Sequence, residues 1–178
     1  NDDGTEEWAF MPQEMLSKQY AISENNPGDH IYGLDDSPAF LVTDVDNDGI
    51  VEPAAGDKVY MYISMRRGGN NIYAFDVTPT TTDGPLEAQS DTVTPKLIWT
   101  IEGGSGDFAQ LGQTWSRPKV TRIRAKCNPS SDCDDGDPAT NDSESRMVLI
   151  FGGGYDTNQD DDAAPYTDAV GNAIYIVD

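Results

Sequence analysis

Basic residues are scarce in this 178-residue chain. Eleven Lys and Arg stand against 32 Asp and Glu, for a formal charge of −21 at pH 7. A nucleic-acid partner demands a basic face for its phosphates, so this balance excludes that class and disfavours docking on anionic lipid. Long apolar runs are missing as well: nothing approaches the roughly 20 residues of a membrane helix, so no membrane insertion is expected. Asn1-Asp2-Asp3 opens the sequence with neither a basic region nor an apolar one after it, so no signal peptide is read there. Histidine is reduced to His30 and cysteine to Cys127 and Cys133. No Gly-x-Ser-x-Gly elbow is present, and neither thiol has a histidine close in sequence. The chain therefore reads as non-enzymatic.

Hydrophobic residues make up 37% of the chain, with 17 Gly, 11 Pro, 8 Tyr and 3 Trp. That mixture suits a loop-rich, all-β protein. The final stretch, residues 173–178, is an apolar alternation that stops unfinished, which reads as an internal fragment of a longer protein.

An internal repeat organises the rest. Gly69-Asn70-Asn71-Ile72-Tyr73-Ala74-Phe75-Asp76 and Gly171-Asn172-Ala173-Ile174-Tyr175-Ile176-Val177-Asp178 share Gly, Asn, Ile, Tyr and Asp at equivalent places, and Glu7-Trp8-Ala9-Phe10 is a weaker copy. Upstream, residues 37–43 correspond to 116–123, and 58–64 to 146–152. Each unit reads strand, acidic loop, strand, Gly turn, strand, and residues 95–101 add a fourth strand to the first unit. This is the grammar of a β-propeller blade. The predicted fold is all-β: a partial β-propeller of roughly two to three four-stranded antiparallel blades. It has long acidic loop insertions (79–94, 126–145, 156–168) and one short helix over 12–20. The chain is read as one domain fragment, with a blade end at 1–36, a blade at 37–104 and an incomplete blade at 105–178. An immunoglobulin-like sandwich is the structural alternative, but it leaves the repeated Gly-Asn-x-Ile-Tyr element unexplained.

The sharpest motif is Asp44-Val45-Asp46-Asn47-Asp48-Gly49-Ile50-Val51-Glu52. Carboxylates stand at its first, third, fifth and ninth positions, Gly at the sixth, and Ile50 at the seventh can offer its backbone carbonyl. Calcium takes six to eight oxygens at about 2.3–2.6 Å, and alternating acids around a tight turn can converge on one ion. The ligands predicted for Ca²⁺ are Asp44, Asp46, Asp48, the Ile50 carbonyl and Glu52, with Asp57 as a late or water-mediated addition. Ala55 at the twelfth position and Pro53 separate this loop from an EF-hand. The alternative is an acidic, solvated hairpin. Asp156, Asn158, Asp160 and Asp162 repeat the alternation without the Gly and form a possible second metal site.

Cys127 and Cys133 are expected to close a short disulfide loop, which would place the protein in an oxidising compartment; two free surface thiols are the alternative. Asp132, Asp134, Asp135 and Asp137 around them read as a solvated charge run. Gly103-Gly104-Ser105-Gly106 and Gly152-Gly153-Gly154 read as turns, because neither opens a phosphate-binding helix. Arg66 and Arg67 are expected to pair with acids, and Trp99 and Trp115 to lie in the core.

Taken together, these residues resemble the C-terminal β-propeller of the PilY1 family, the type IV pilus tip-associated biogenesis factors and adhesins. The resemblance runs in order through Glu7 to Pro12, Tyr32 to Pro38, the loop Asp44 to Glu52, Arg66 to Asp76, Gly112 to Pro118, Phe151 to Asp156 and Gly171 to Tyr175. It implies an exported protein at the cell surface, pilus tip or outer membrane. Its calcium loop would regulate pilus extension against retraction, twitching motility and adhesion, with minor pilins and a host or abiotic surface as partners. A calcium-dependent surface lectin or scaffold propeller is the alternative, and a pyrroloquinoline-quinone-dependent dehydrogenase propeller a more distant one; the adjacent Cys-Cys pair usual in that enzyme class is missing here.

Overall fold

In the computed structural model, residues 6–28, 30–79, 93–126, 143–160 and 167–178 are described. The first helix starts after Pro12, whose fixed φ suits a helix entry. A 3-10 segment, Gln13–Lys18, runs directly into α1, Gln19–Glu24, and Asn25 ends it in the left-handed region at φ 46°. The helix is longer than its apolar residues predict. Met15 alone is buried from it, and Leu16 is exposed.

Four strands follow: β1 (Ala39–Thr43), β2 (Lys58–Ser64), β3 (Ile72–Asp76) and β4 (Lys96–Ile101). They pair antiparallel in chain order as one sheet. Three more, β5 (Lys119–Lys126), β6 (Ser143–Gly152) and β7 (Ile174–Val177), form a second antiparallel sheet. Strand β3 is interior to its sheet and buries Ile72, Tyr73, Ala74 and Phe75 in succession, as a strand covered on both faces must. Between β3 and β4 the register steps at Ala74/Phe75, because Ala74 pairs with Trp99 and Phe75 with Leu97. The bulged residue, Ile98, is left exposed.

Alternation along the strands sorts the core into two layers. Met61, Tyr73 and Phe75 face the N-terminal segment, where Met15 and Phe10 pack on them; Phe10 meets both rings edge-on, at centroid distances of 5.2 and 4.8 Å. From the opposite face, Ile72 and Ile101 meet Leu149 and Phe151 of the second sheet, with Tyr62, Trp99 and Tyr175 around them. The molecule is thus a stack: N-terminal segment, four-stranded sheet, three-stranded sheet.

A strap, residues 110–116, laces the ends of the two sheets. Gln113 and Tyr155 exchange both backbone hydrogen bonds at 2.9 Å, and the Gly112 amide donates to the Gly153 carbonyl. On the other side the Thr114 amide donates to the Gly69 carbonyl, and its buried hydroxyl accepts from the Arg66 amide at 2.9 Å. Gly154 sits at φ 88° where the strap crosses, and a side chain there would collide with the Gln113 carbonyl.

This architecture overturns the propeller. A propeller repeats sheets radially until the last closes on the first. Here two separate sheets, of four and three strands, stack face to face without closure or curling. The repeat that suggested blades encodes strand orientation in a stack: Tyr73 and Tyr175 both face the preceding layer, whereas Ile72 is buried against the next sheet and Ile174 is exposed. With the ring goes what depended on it: the identification with the PilY1 family, the role of a calcium-binding pilus-tip propeller in fimbrium biogenesis, twitching and adhesion, and the lectin, scaffold and dehydrogenase propellers.

Candidate metal centre

The loop joining β1 to β2 carries the predicted ligands. Its shape is written by its own carboxylates. Asp44 accepts from the Asn47 amide through Oδ1 at 2.7 Å and from the Gly49 amide through Oδ2 at 2.8 Å. Asp46 Oδ1 accepts from the Asp48 amide at 3.3 Å, and Asp48 Oδ1 from the Ile50 amide at 2.8 Å. Each short acidic side chain thus nucleates the next bend, the habit that makes Asp a turn former. Asn47 (φ 62°) and Gly49 (φ 85°) supply the left-handed residues the curl requires.

The result is a convergence of Asp44, Asp46 and Asp48, with one carboxylate oxygen from each lying within 4.8 Å of the others. Asp44 is half-buried and the other two are exposed. Among the described residues no other group of three potential ligands comes together this way. Glu52 is exposed and outside the convergence. The acidic cluster can chelate a divalent metal.

Electrostatics differ within the trio. The Gly49 amide bond holds the Asp44 carboxyl below the usual aspartate range, aided by the Asn47 amide. Asp46 is pushed up, first by partial withdrawal from water and then by the neighbouring Asp48 charge. Like charges gathered around one point oppose ionisation, and a cation there would reverse the sign of that interaction.

Asp57, read from the sequence as a late ligand, has a structural task. It is 1% exposed, and its two oxygens accept from the Val45 and Glu52 amides, each at 2.8 Å. It ties both shoulders of the loop to the start of β2. The signal for this residue, an acid immediately before a strand and after a Gly turn, was present but reads equally as a ligand.

The second acidic stretch is built differently. Asp156 is buried; it accepts from the Asn158 amide through Oδ1, and from the Ala169 and Val170 amides through Oδ2. Those bonds hold its carboxyl below the usual range, the Asn158 amide foremost. The Asp160 carboxylate accepts from the Tyr155 hydroxyl at 2.6 Å. Asp156 and Asp160 take part in no three-residue convergence among the described residues. Asp162 lies outside the described residues, as do Cys127, Cys133 and the acids around them.

Other sequence-marked residues resolve simply. Arg67 pairs with Asp35, Nε to Oδ2 at 2.6 Å, and donates to the Tyr32 hydroxyl at 2.9 Å. Trp99 joins the inter-sheet core, but Trp115 is 42% exposed, contrary to its expected burial, because the strap turns its ring outward. His30 lies edge-on to the Tyr32 ring.

Compared with protein-family models, curated proteins and solved structures, the chain matches none.

Proposed function

We propose that this protein is a non-enzymatic β-sheet module whose β1–β2 loop binds calcium and is set in its working shape by the ion. One observation carries the reading: Asp44, Asp46 and Asp48 converge within 4.8 Å on a loop already curled by its own amides. All the donors are oxygen, which selects a hard cation over zinc or copper. The site is open, and its ligands sit on a short exposed loop. Calcium tolerates that irregular, six-to-eight-oxygen geometry, whereas magnesium demands a compact octahedron. The Ile50 carbonyl and Glu52, both at the loop's exit, complete the ligand set once the ion draws them in.

Such a site works as a fastener. Ion binding stabilises the folded hairpin by RT ln(1 + [L]/Kd), about 2.7 kcal/mol at a hundredfold excess over Kd. A weak site of this kind stays filled only where calcium is abundant, which fits an exported protein; with a charge of −21, nucleic acid is not its partner.

Calorimetry with Ca²⁺ on the intact chain tests the proposal. The expected result is a single event with Kd between about 10⁻⁶ and 10⁻³ M, at least roughly tenfold weaker with Mg²⁺, and lost in Asp46→Ala. Absence of binding, or equal binding by Asp46→Ala, refutes it.

A further inference from the structure

Away from the calcium loop, and independent of it, the Arg66 and Trp115 side chains form a surface feature at the strap, with the Trp115 ring edge-on to Tyr155. Arg66 occupies the left-handed region at φ 51°, an unusual place for a residue with a side chain. Its amide is pinned to the Thr114 hydroxyl at 2.9 Å. That conformation lays its guanidinium over the Trp115 ring, 4.8 Å from the centroid. The indole is fixed in turn: its Nε1–H donates to Gln113 Oε1 at 3.0 Å, and Gln113 Nε2 donates to the Arg67 carbonyl at 3.2 Å. An aromatic ring 42% exposed and an arginine stacked on it are therefore held rigidly at the surface by the strap.

The charge around this pair is the informative part. Acids outnumber bases almost threefold in the chain, yet the Arg66 guanidinium makes no direct ion pair among the described residues; the acid whose charge it affects, Asp35, is bonded to Arg67 instead. Neighbouring Arg67 is already engaged by Asp35 and Tyr32. Arg66 thus keeps its N–H fork available above a fixed aromatic face. That is the arrangement that takes a carboxylate in two parallel hydrogen bonds. Rigid Trp and Arg at a surface are also the residue types that concentrate binding energy in interfaces.

We propose that Arg66 and Trp115 form a docking point for a peptide segment of a partner protein that carries one Glu or Asp among neutral residues, with that carboxylate in the Arg66 fork and its aliphatic stem on the indole. The overall charge of −21 decides against polyanions such as nucleic acid, which are repelled as a whole, and leaves a single carboxylate read at close range.

The test is a titration of the intact protein with a capped peptide carrying one Glu among neutral residues, against the same peptide with Gln. It is followed by the Trp115 indole N–H resonance, assigned through Trp115→Phe. The Glu peptide should shift that resonance saturably and the Gln peptide should not. Arg66→Gly suits the left-handed backbone, so it removes the guanidinium without disturbing the turn; it should weaken binding about tenfold or more. Arg66→Lys should fall between the two, because it keeps the charge and loses the fork. Equal response to both peptides, no saturable shift, or unchanged affinity in Arg66→Gly would overturn the proposal. Running the titration in excess chelator separates its fate from that of the calcium loop.

Discussion

The two acidic stretches, 44–52 and 156–160, share an alternation of carboxylates in sequence and do opposite things in the fold. In the first, the leading residue Asp44 bends the loop, while a separate buried residue, Asp57, anchors it. Freed from anchoring, Asp46 and Asp48 are left to gather beside Asp44. In the second, the leading residue is itself the anchor, since amides from Asn158, Ala169 and Val170 occupy Asp156, and no gathering follows. Asp156 gives both oxygens to amides, two of them from residues 169–170, and so ties distant segments together, whereas Asp46 and Asp48 each give only one oxygen to an amide within their own loop. Division of labour between anchor and ligand distinguishes the two loops more than the count of acids does.

The largest effect should come from removing the anchor of the first loop. Asp57→Ala strips two amides of their acceptor at a fully buried position and should cost about 3 kcal/mol, measured by denaturant unfolding. Calcium affinity should fall with it even though Asp57 is no ligand. If stability holds and affinity alone falls, Asp57 belongs with the ligands.

A smaller loss is expected at the turn. Gly49→Ala places a side chain in the left-handed region at φ 85° and should destabilise by about 1–2 kcal/mol. No atom crowds that position, so the cost is conformational. Calcium should recover part of it, and unfolding curves with and without the ion would show this. The second stretch has no such glycine, so the comparison narrows to whether the turn or the anchor matters more.

The smallest effect is the pH response of the ion-free loop. The Asp46 carboxyl is raised, so its charge opposes the fold above that pKa, and the opposition disappears as pH falls through it. Asp44 is lowered, so its contribution is favourable above the ordinary aspartate range and is lost as pH falls further. Asp46→Asn should therefore leave the ion-free protein at least as stable as the parent at pH 7, with the advantage vanishing below about pH 4. With calcium present the order should reverse. A variant less stable than the parent without ion would show that Asp46 supports the loop, as Asp156 supports the other.

Much of the local structure was legible. Val59 to Ser64, Ile72 to Asp76 and Lys96 to Ile101 are strands where apolar alternation and aromatic content place strands. The acidic loop could be read because Asp and Gly dictate their own turns over a few residues. What failed was arrangement beyond neighbouring strands. A repeated Gly-Asn-x-Ile-Tyr fixes which way a strand faces, and it does so equally in a closed ring and in an open stack. Asp57 and Trp115 failed for a related reason. Whether a carboxylate is buried under a hairpin, or an indole is turned out by a strap, depends on chain segments up to dozens of residues away.

The strap at 110–116 has a consequence for how the molecule comes apart. Its backbone is paired on one side to Gly153 and Tyr155 and on the other to Gly69, while Leu111 sits at 1% exposure among side chains of both sheets. Loss of β6 together with Gly153 to Tyr155 that follow it would strip the strap of half its pairing and uncover Ile72 and Ile101 in the same event. Neither sheet can melt ahead of the other without breaking the bonds that hold its neighbour, so the described core should unfold in one cooperative transition.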